Sequence, residues 1–300
     1  METPLNNRPT IENGFLRAIL YLITGFVLCG MVQLMYSTSA DVVTYNEVNN
    51  PQTILDILKS YFVIKIGLVL VAFLFMVLVN RELIRHLGFR WEGSSAFAGF
   101  LVGFFIITIG TVVLLFTKNI YFTDIGTEDT DIFYATLLCI VVAFIEEISI
   151  RGYFLKNLMQ SMNKWVALVF ASLVFALLHL DNTDITLIAF VNIFIAGILL
   201  GINYVYTKNL WFSILLHFSW NFFQGPIFGY KVSGMSMGKS FIKQIAQGSD
   251  MISGGDFGYE GSVICTILQV ILIVGLIWYY QKKYATKKVA ENQENDFLAA

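Results

Sequence analysis

The chain has 300 residues, of which 57% are hydrophobic and 13% charged, and its formal net charge is −2. A soluble domain carries about 25% charged residues, so these figures, with a mean hydropathy of +0.70, exclude an ordinary soluble globule and point to an all-α polytopic membrane helix bundle. The near-neutral charge offers no basic surface for nucleic acid. The three cysteines, Cys29, Cys139 and Cys265, are an odd number within apolar runs, which argues against a disulfide framework or a cysteine-rich metal site.

A membrane-spanning helix needs about 20 mostly apolar residues. Taken in order, about eight stretches qualify as spans: 15–36, 54–79, 94–116, 132–155, 164–180, 185–206, 210–230 and 263–280. The first is read as a retained span, because no small-residue cleavage signature follows it. The short connections 181–184 and 207–209 force antiparallel hairpins.

Lysine and arginine in the loops set the orientation. With the N-terminus cytoplasmic, the inside segments hold Arg8, Arg17, Arg81, Arg85, Arg90, Arg151, Lys156, Lys164, Lys208, Lys282, Lys283, Lys287 and Lys288. The outside loops hold Lys118, Lys231, Lys239 and Lys243, and they collect the acids Asp41, Glu47, Asp124, Glu128, Asp129, Asp131, Asp181 and Asp184. Both termini are therefore expected in the cytoplasm. Lys59 and Lys65 fall in the outer part of the second span, from which a lysine can snorkel. The segment 231–261 reads as an outer loop with a short amphipathic piece at 241–246, an interfacial helix or lid at most. The polar tail from 287 onward is expected to be disordered. The chain divides into an accessory group of three spans (1–130), a core of spans four to seven (131–230), and an outer loop, last span and tail (231–300).

The fourth span contains the stretch FIEEISIRGYF, with Glu146, Glu147 and Arg151 inside an otherwise apolar run. A charge at bilayer depth costs about 2.5–3.5 kcal/mol on insertion scales and marks a functional site by default. Glu147 and Arg151 are at i,i+4 and share a helix face, so they can neutralise each other. Glu146 is rotated about 100° away and has no partner in its own helix. A lone buried carboxylate suits a group that must take and return a proton.

Of the three histidines, His86 lies in a basic loop, while His179 ends the fifth span in FALLH and His217 lies in the seventh in HFSWN, with Asn221 on its face. Counting about 1.5 Å per residue across a core of about 30 Å places Glu146, His179, His217 and Asn221 within about 12 Å of one another in depth. Tilt and boundary shifts can absorb that spread. A carboxylate, two imidazoles and an amide supply what amide hydrolysis needs, a base for water and donors for the new oxyanion.

These motifs resemble the CPBP family of intramembrane endopeptidases, which includes the type II CAAX prenyl proteases and bacteriocin self-immunity proteins. The family pattern EExxxR, then FxxxH, then HxxxN is met by Glu146-Glu147 with Arg151, by Phe175 with His179, and by His217 with Asn221. Gly197, Gly201, Tyr204, Thr207, Leu210 and Trp211 extend the likeness, which covers roughly 141–222. Ile150 stands where the family often has an aromatic residue, and the first three spans match no motif.

The resemblance implies hydrolysis of a peptide bond within the membrane. Glu146 and His179 would hold and activate water, His217 and Asn221 would stabilise the oxyanion, and Glu147 with Arg151 would support the helix geometry. It favours a metal-free mechanism with no cofactor; the alternative is zinc on Glu146, His179 and His217. The expected partners are a peptide or membrane-protein substrate and the lipid bilayer, and the setting a bacterial inner membrane. Two other classes compete: a transporter using Glu146 and the histidines as a proton or ion path, and a non-catalytic scaffold or immunity protein that keeps the cluster as structure.

Overall fold

The computed structural model describes residues 8–38, 54–126 and 129–299. Asp41, Glu47 and Glu128, used above to orient the chain, lie outside the described residues. The architecture is a helix bundle: α1 (Gly14–Thr38), α2 (Ile54–Leu78), α3 (Gly93–Phe116), α4 (Asp129–Glu147), α5 (Lys164–Leu177), α6 (Leu187–Thr207), α7 (Trp211–Phe222) and α8 (Val263–Ala299), with two short strands, β1 (Ile120–Ile125) and β2 (Ile242–Ala246).

Among the described residues, 6 helices are long and apolar enough to cross a membrane: α1, α2, α3, α4 with its continuation to Leu158, α6 and the first part of α8. Large apolar side chains such as Met31, Leu74, Leu78, Phe97, Ile271 and Trp278 stay exposed on the outside of the bundle. That is the surface hydrocarbon requires, since backbone polar groups are already satisfied within the helices. The chain is a multi-pass all-α membrane protein. The remaining two expected spans are shorter. α5 has 14 residues, and α7 has 12 before its backbone changes hydrogen-bond pattern. These two carry the histidine motifs.

Two of the three motif helices leave α geometry at or just after their motif residues. α4 passes into a π-helix over Ile148–Leu155, and α7 into a π-helix over Phe223–Ile227 that contains Pro226. A π turn shifts the carbonyl ladder by one residue and re-aims the side chains that follow, and such turns recur at functional sites.

Two small-residue contacts fix the helices that carry the site. Gly99 and Gly103 of α3 form a GxxxG stripe that admits the α7 backbone; a Cβ at Gly103 would stand 2.6 Å from the Leu216 carbonyl oxygen and 2.8 Å from the Trp220 nitrogen. Ser219 Oγ then donates to the Phe100 carbonyl at 2.7 Å. With Leu216, Ser219 and Trp220 turned to α3, His217 and Asn221 point about 100° further round, towards α4. The main apolar core gathers α1, α2, α4, α5 and α6 around Tyr21, Ala72, Tyr153, Phe154 and Phe175. A second core joins α3, α7 and α8 through Ile106, Leu216, Trp220 and Tyr259.

In the segment 231–261 the amphipathic piece is not the interfacial helix expected of it. Residues 242–246 are β2, paired antiparallel with β1 from Ile120↔Ala246 to Ile125↔Ile242. Ile242 and Ile245 suit the pleat, and β1 is likewise rich in β-branched and aromatic residues. Asp124 and Lys243 pair at 2.9 Å across the ribbon. The first turns of the segment are strapped to the loop after α5: Asn182 Nδ2 donates to the Ser233 carbonyl at 2.9 Å, Thr183 Oγ1 to the Gly234 carbonyl at 2.8 Å, and Lys231 pairs with Asp184 at 2.9 Å. Glu260 accepts from the Ser233 hydroxyl at 3.0 Å and from Gln224 at 3.1 Å. The tail also differs from expectation: α8 continues to Ala299, through residues such as Ala, Lys, Glu and Gln that are strong helix formers.

Candidate active site

The fourth-span acids are divided by their neighbours. Glu147 is 0% exposed and Arg151 1%, and Arg151 Nη1 donates to Glu147 Oε1 at 2.8 Å. A buried pair of this kind needs its remaining donors satisfied. Arg151 Nη2 reaches the Gly197 carbonyl at 3.1 Å, and the guanidinium lies over the Phe175 ring, 4.5 Å from its centroid. Phe175 of the second motif therefore covers the arginine of the first.

Glu147 does more than neutralise Arg151. The same Oε1 stands 2.8 Å from His217 Nδ1, so one carboxylate oxygen ties α4 to α7. With Nδ1–H donated to that carboxylate, the ring's Nε2 is left for the cavity. It faces Glu146, whose Oε2 is 3.9 Å away. That oxygen is buried and has no hydrogen-bond partner among the described residues, whereas Oε1 accepts from the Tyr61 hydroxyl at 2.7 Å.

His179 lies beyond the end of α5, not within it as the expected span had placed it. Its Nδ1 stands 2.7 Å from the Phe175 carbonyl oxygen, one of the carbonyls that a helix end leaves unpaired, and its ring packs 4.6 Å from that of Phe175. The other ring nitrogen remains available. Asn221, one turn after His217, is 4% exposed.

Glu146, His179, His217 and Asn221 all line one cavity of about 330 Å³. Glu147 and Arg151 lie behind its wall. The apolar lining includes Leu68, Leu138, Ile193 and Leu216, and the segment 231–261 closes part of it with Val232, Met235, Met237 and Glu260. The lining thus draws on all three divisions of the sequence. Among the described residues no three His, Cys, Asp or Glu side chains are grouped closely enough to hold a metal ion.

Residues 128–223 match the family described as type II CAAX prenyl endopeptidase Rce1-like. The chain is CAAX-protease-like through this segment. No curated protein and no solved structure matches it.

Every motif residue of the CAAX-protease-like segment falls within the matched range, and so do α5, α6 and α7. Four polar residues of the cavity do not: Ser233 and Glu260 of the segment 231–261, and Tyr61 and Lys65 of α2. Tyr61 and Lys65 come from α2 and both line the cavity. The snorkelling expected of Lys65 gives way to this position, whereas Lys59 is exposed and sits 3.7 Å from Asp56. The available signal was their i,i+4 spacing, which puts a phenol and an ammonium on one face of an apolar helix.

Proposed function

We propose that this CAAX-protease-like chain is an intramembrane endopeptidase that hydrolyses a peptide bond of a membrane-associated peptide or protein. The observation that carries the proposal is the state of Glu146: one oxygen held by Tyr61, the other buried, unpartnered and turned to His217 in a cavity of mixed apolar and polar lining.

In this reading Glu146 Oε2 takes a proton from water as the water oxygen attacks the substrate carbonyl carbon. His179, with Nδ1–H held by the Phe175 carbonyl, offers Nε2 to the same water. The oxyanion that develops receives hydrogen bonds from the Asn221 amide and from protonated Nε2 of His217. When the C–N bond breaks, Glu146 returns its proton to the leaving nitrogen. Positioned proton transfer contributes typically 10²–10⁴-fold, and one oxyanion donor about 10²–10³-fold. Each atom in the scheme is supplied by the chain or by water, so the step is drawn without zinc. Stoichiometric zinc in purified protein, lost together with activity, would contradict that choice.

The loop charges support both termini in the cytoplasm; the short loops favour a bacterial inner membrane, and the substrate is then a peptide or membrane protein without a prenyl group. The test compares wild type with Glu146→Gln in native membranes by peptide mass spectrometry. Cleavage products present with wild type and absent from Glu146→Gln are expected. Identical peptide sets would remove the endopeptidase reading and leave a transporter or scaffold.

A further inference from the structure

One cation of the cavity has no use in the scheme above. Lys65 sits near the middle of α2, a helix with a mean hydropathy of 2.6 over its most apolar window, and its partly buried side chain lines the cavity wall. Among the described residues it makes no ion pair and no hydrogen bond. Glu146 feels its charge across the cavity but lies beyond ion-pair reach. The other charged groups at or behind this wall are already engaged: Glu147 holds Arg151 and His217, and Glu260 holds Ser233 and Gln224. An ammonium at this depth is expensive and is found facing a partner or a water-filled cavity.

Tyr61 fixes the direction of the site on the same helix face. Its hydroxyl is on Glu146, so Lys65, one turn along, stands about 6 Å further down the α2 axis from the reacting centre. That is the length of about two extended residues.

We infer that Lys65 is a specificity-determining residue that binds a carboxylate of the substrate, within about two residues of the scissile bond. The inference rests on the endopeptidase reading for its word "substrate", but the binding it describes does not require cleavage. The carboxylate can be the chain terminus of a short apolar peptide or an Asp or Glu side chain within it.

The test uses the full chain in detergent and three matched apolar peptides: a free C-terminal carboxylate, its C-terminal amide, and the amide with one internal Gln replaced by Glu. Binding is read as the peptide-induced rise in unfolding temperature, and cleavage is followed by mass spectrometry in the same samples. Wild type should bind at least one carboxylate form about tenfold or more tightly than the neutral amide, as a charge-assisted hydrogen bond allows. Lys65→Met should erase the preference and Lys65→Arg retain it. A preference only for the terminal carboxylate, or only for the glutamate peptide, identifies the source. Equal binding of all three peptides by wild type, no binding of any, or a preference that survives Lys65→Met would overturn the inference. A Lys65-dependent preference without cleavage would uphold it while removing the endopeptidase reading.

Discussion

The cavity has two unlike walls. One is built by α4, α5 and α7, carries Glu146, His179, His217 and Asn221, and lies inside the family-matched range 128–223. The other is α2, which carries Tyr61 and Lys65 and matches no motif. At or behind the first wall three polar side chains are held in place: Arg151 by Glu147, His217 by the same carboxylate, and His179 by the Phe175 carbonyl. On the second, Tyr61 makes one hydrogen bond to the first wall, and among the described residues Lys65 makes no hydrogen bond or ion pair. In the proposed endopeptidase reading the first wall supplies the chemistry, and the second is the side on which a substrate finds unspent interactions. Preorganised donors and bases are where rate comes from; unpaired groups around them are where selectivity comes from.

Substitutions should separate the walls. His217→Ala removes both the Glu147 contact and an oxyanion donor, so peptide cleavage should fall about 10²–10³-fold, read as initial rate in detergent. Arg151→Met leaves Glu147 buried without its guanidinium. Breaking a buried pair costs about 3–5 kcal/mol, so a large drop in unfolding temperature should accompany the loss of activity. On the α2 side, Tyr61→Phe removes one hydrogen bond to the Glu146 carboxylate. It should lower kcat about five- to tenfold with KM and unfolding temperature nearly unchanged; a change in KM alone would make Tyr61 a substrate contact and not a positioning residue.

The smallest expected effect lies outside both walls. Lys208 closes α6 with φ 56°, and burial, with Lys164 and Lys156 adding, pushes its ammonium down to about 8. An unfolded lysine titrates near 10.4. Between those values the unfolded chain holds more protons, so stability should rise with pH from about 8 to about 10.4. Lys208→Asn, which accepts the left-handed backbone and removes the charge, should flatten that rise. The gain at pH 7 should be below about 1 kcal/mol, because the site is solvent-screened. An unchanged unfolding profile across that pH window would remove Lys208 as its cause.

The first wall was legible because charges and histidines are rare in apolar helices, so each one in spans four, five and seven demanded a partner. The order of the motifs then named the helices that had to meet. What could not be read follows from physics the pattern does not carry. A tyrosine in an apolar span looks the same whether it faces lipid or a carboxylate, and Lys65, read as lying in the outer part of its span, satisfied a snorkelling rule without any sign of the cavity it lines. The π turns at Ile148–Leu155 and Phe223–Ile227 leave hydrophobic spacing almost unchanged. The sharing of Glu147 Oε1 between Arg151 and His217 needs a three-dimensional contact between α4 and α7, whereas i,i+4 spacing shows only the first of those partners. The strand pairing of β1 with β2 joins segments about 120 residues apart, and alternation in each is too short to signal it.

The central claim is the division of labour between two adjacent glutamates, and one paired measurement tests it most directly. Glu146→Gln and Glu147→Gln are purified alongside wild type, and unfolding temperature and cleavage of one peptide substrate are measured for each. The account predicts that Glu146→Gln keeps the wild-type unfolding temperature and loses cleavage, while Glu147→Gln loses both. Cleavage retained in Glu146→Gln, or an unfolding temperature lowered as far as in Glu147→Gln, would contradict it.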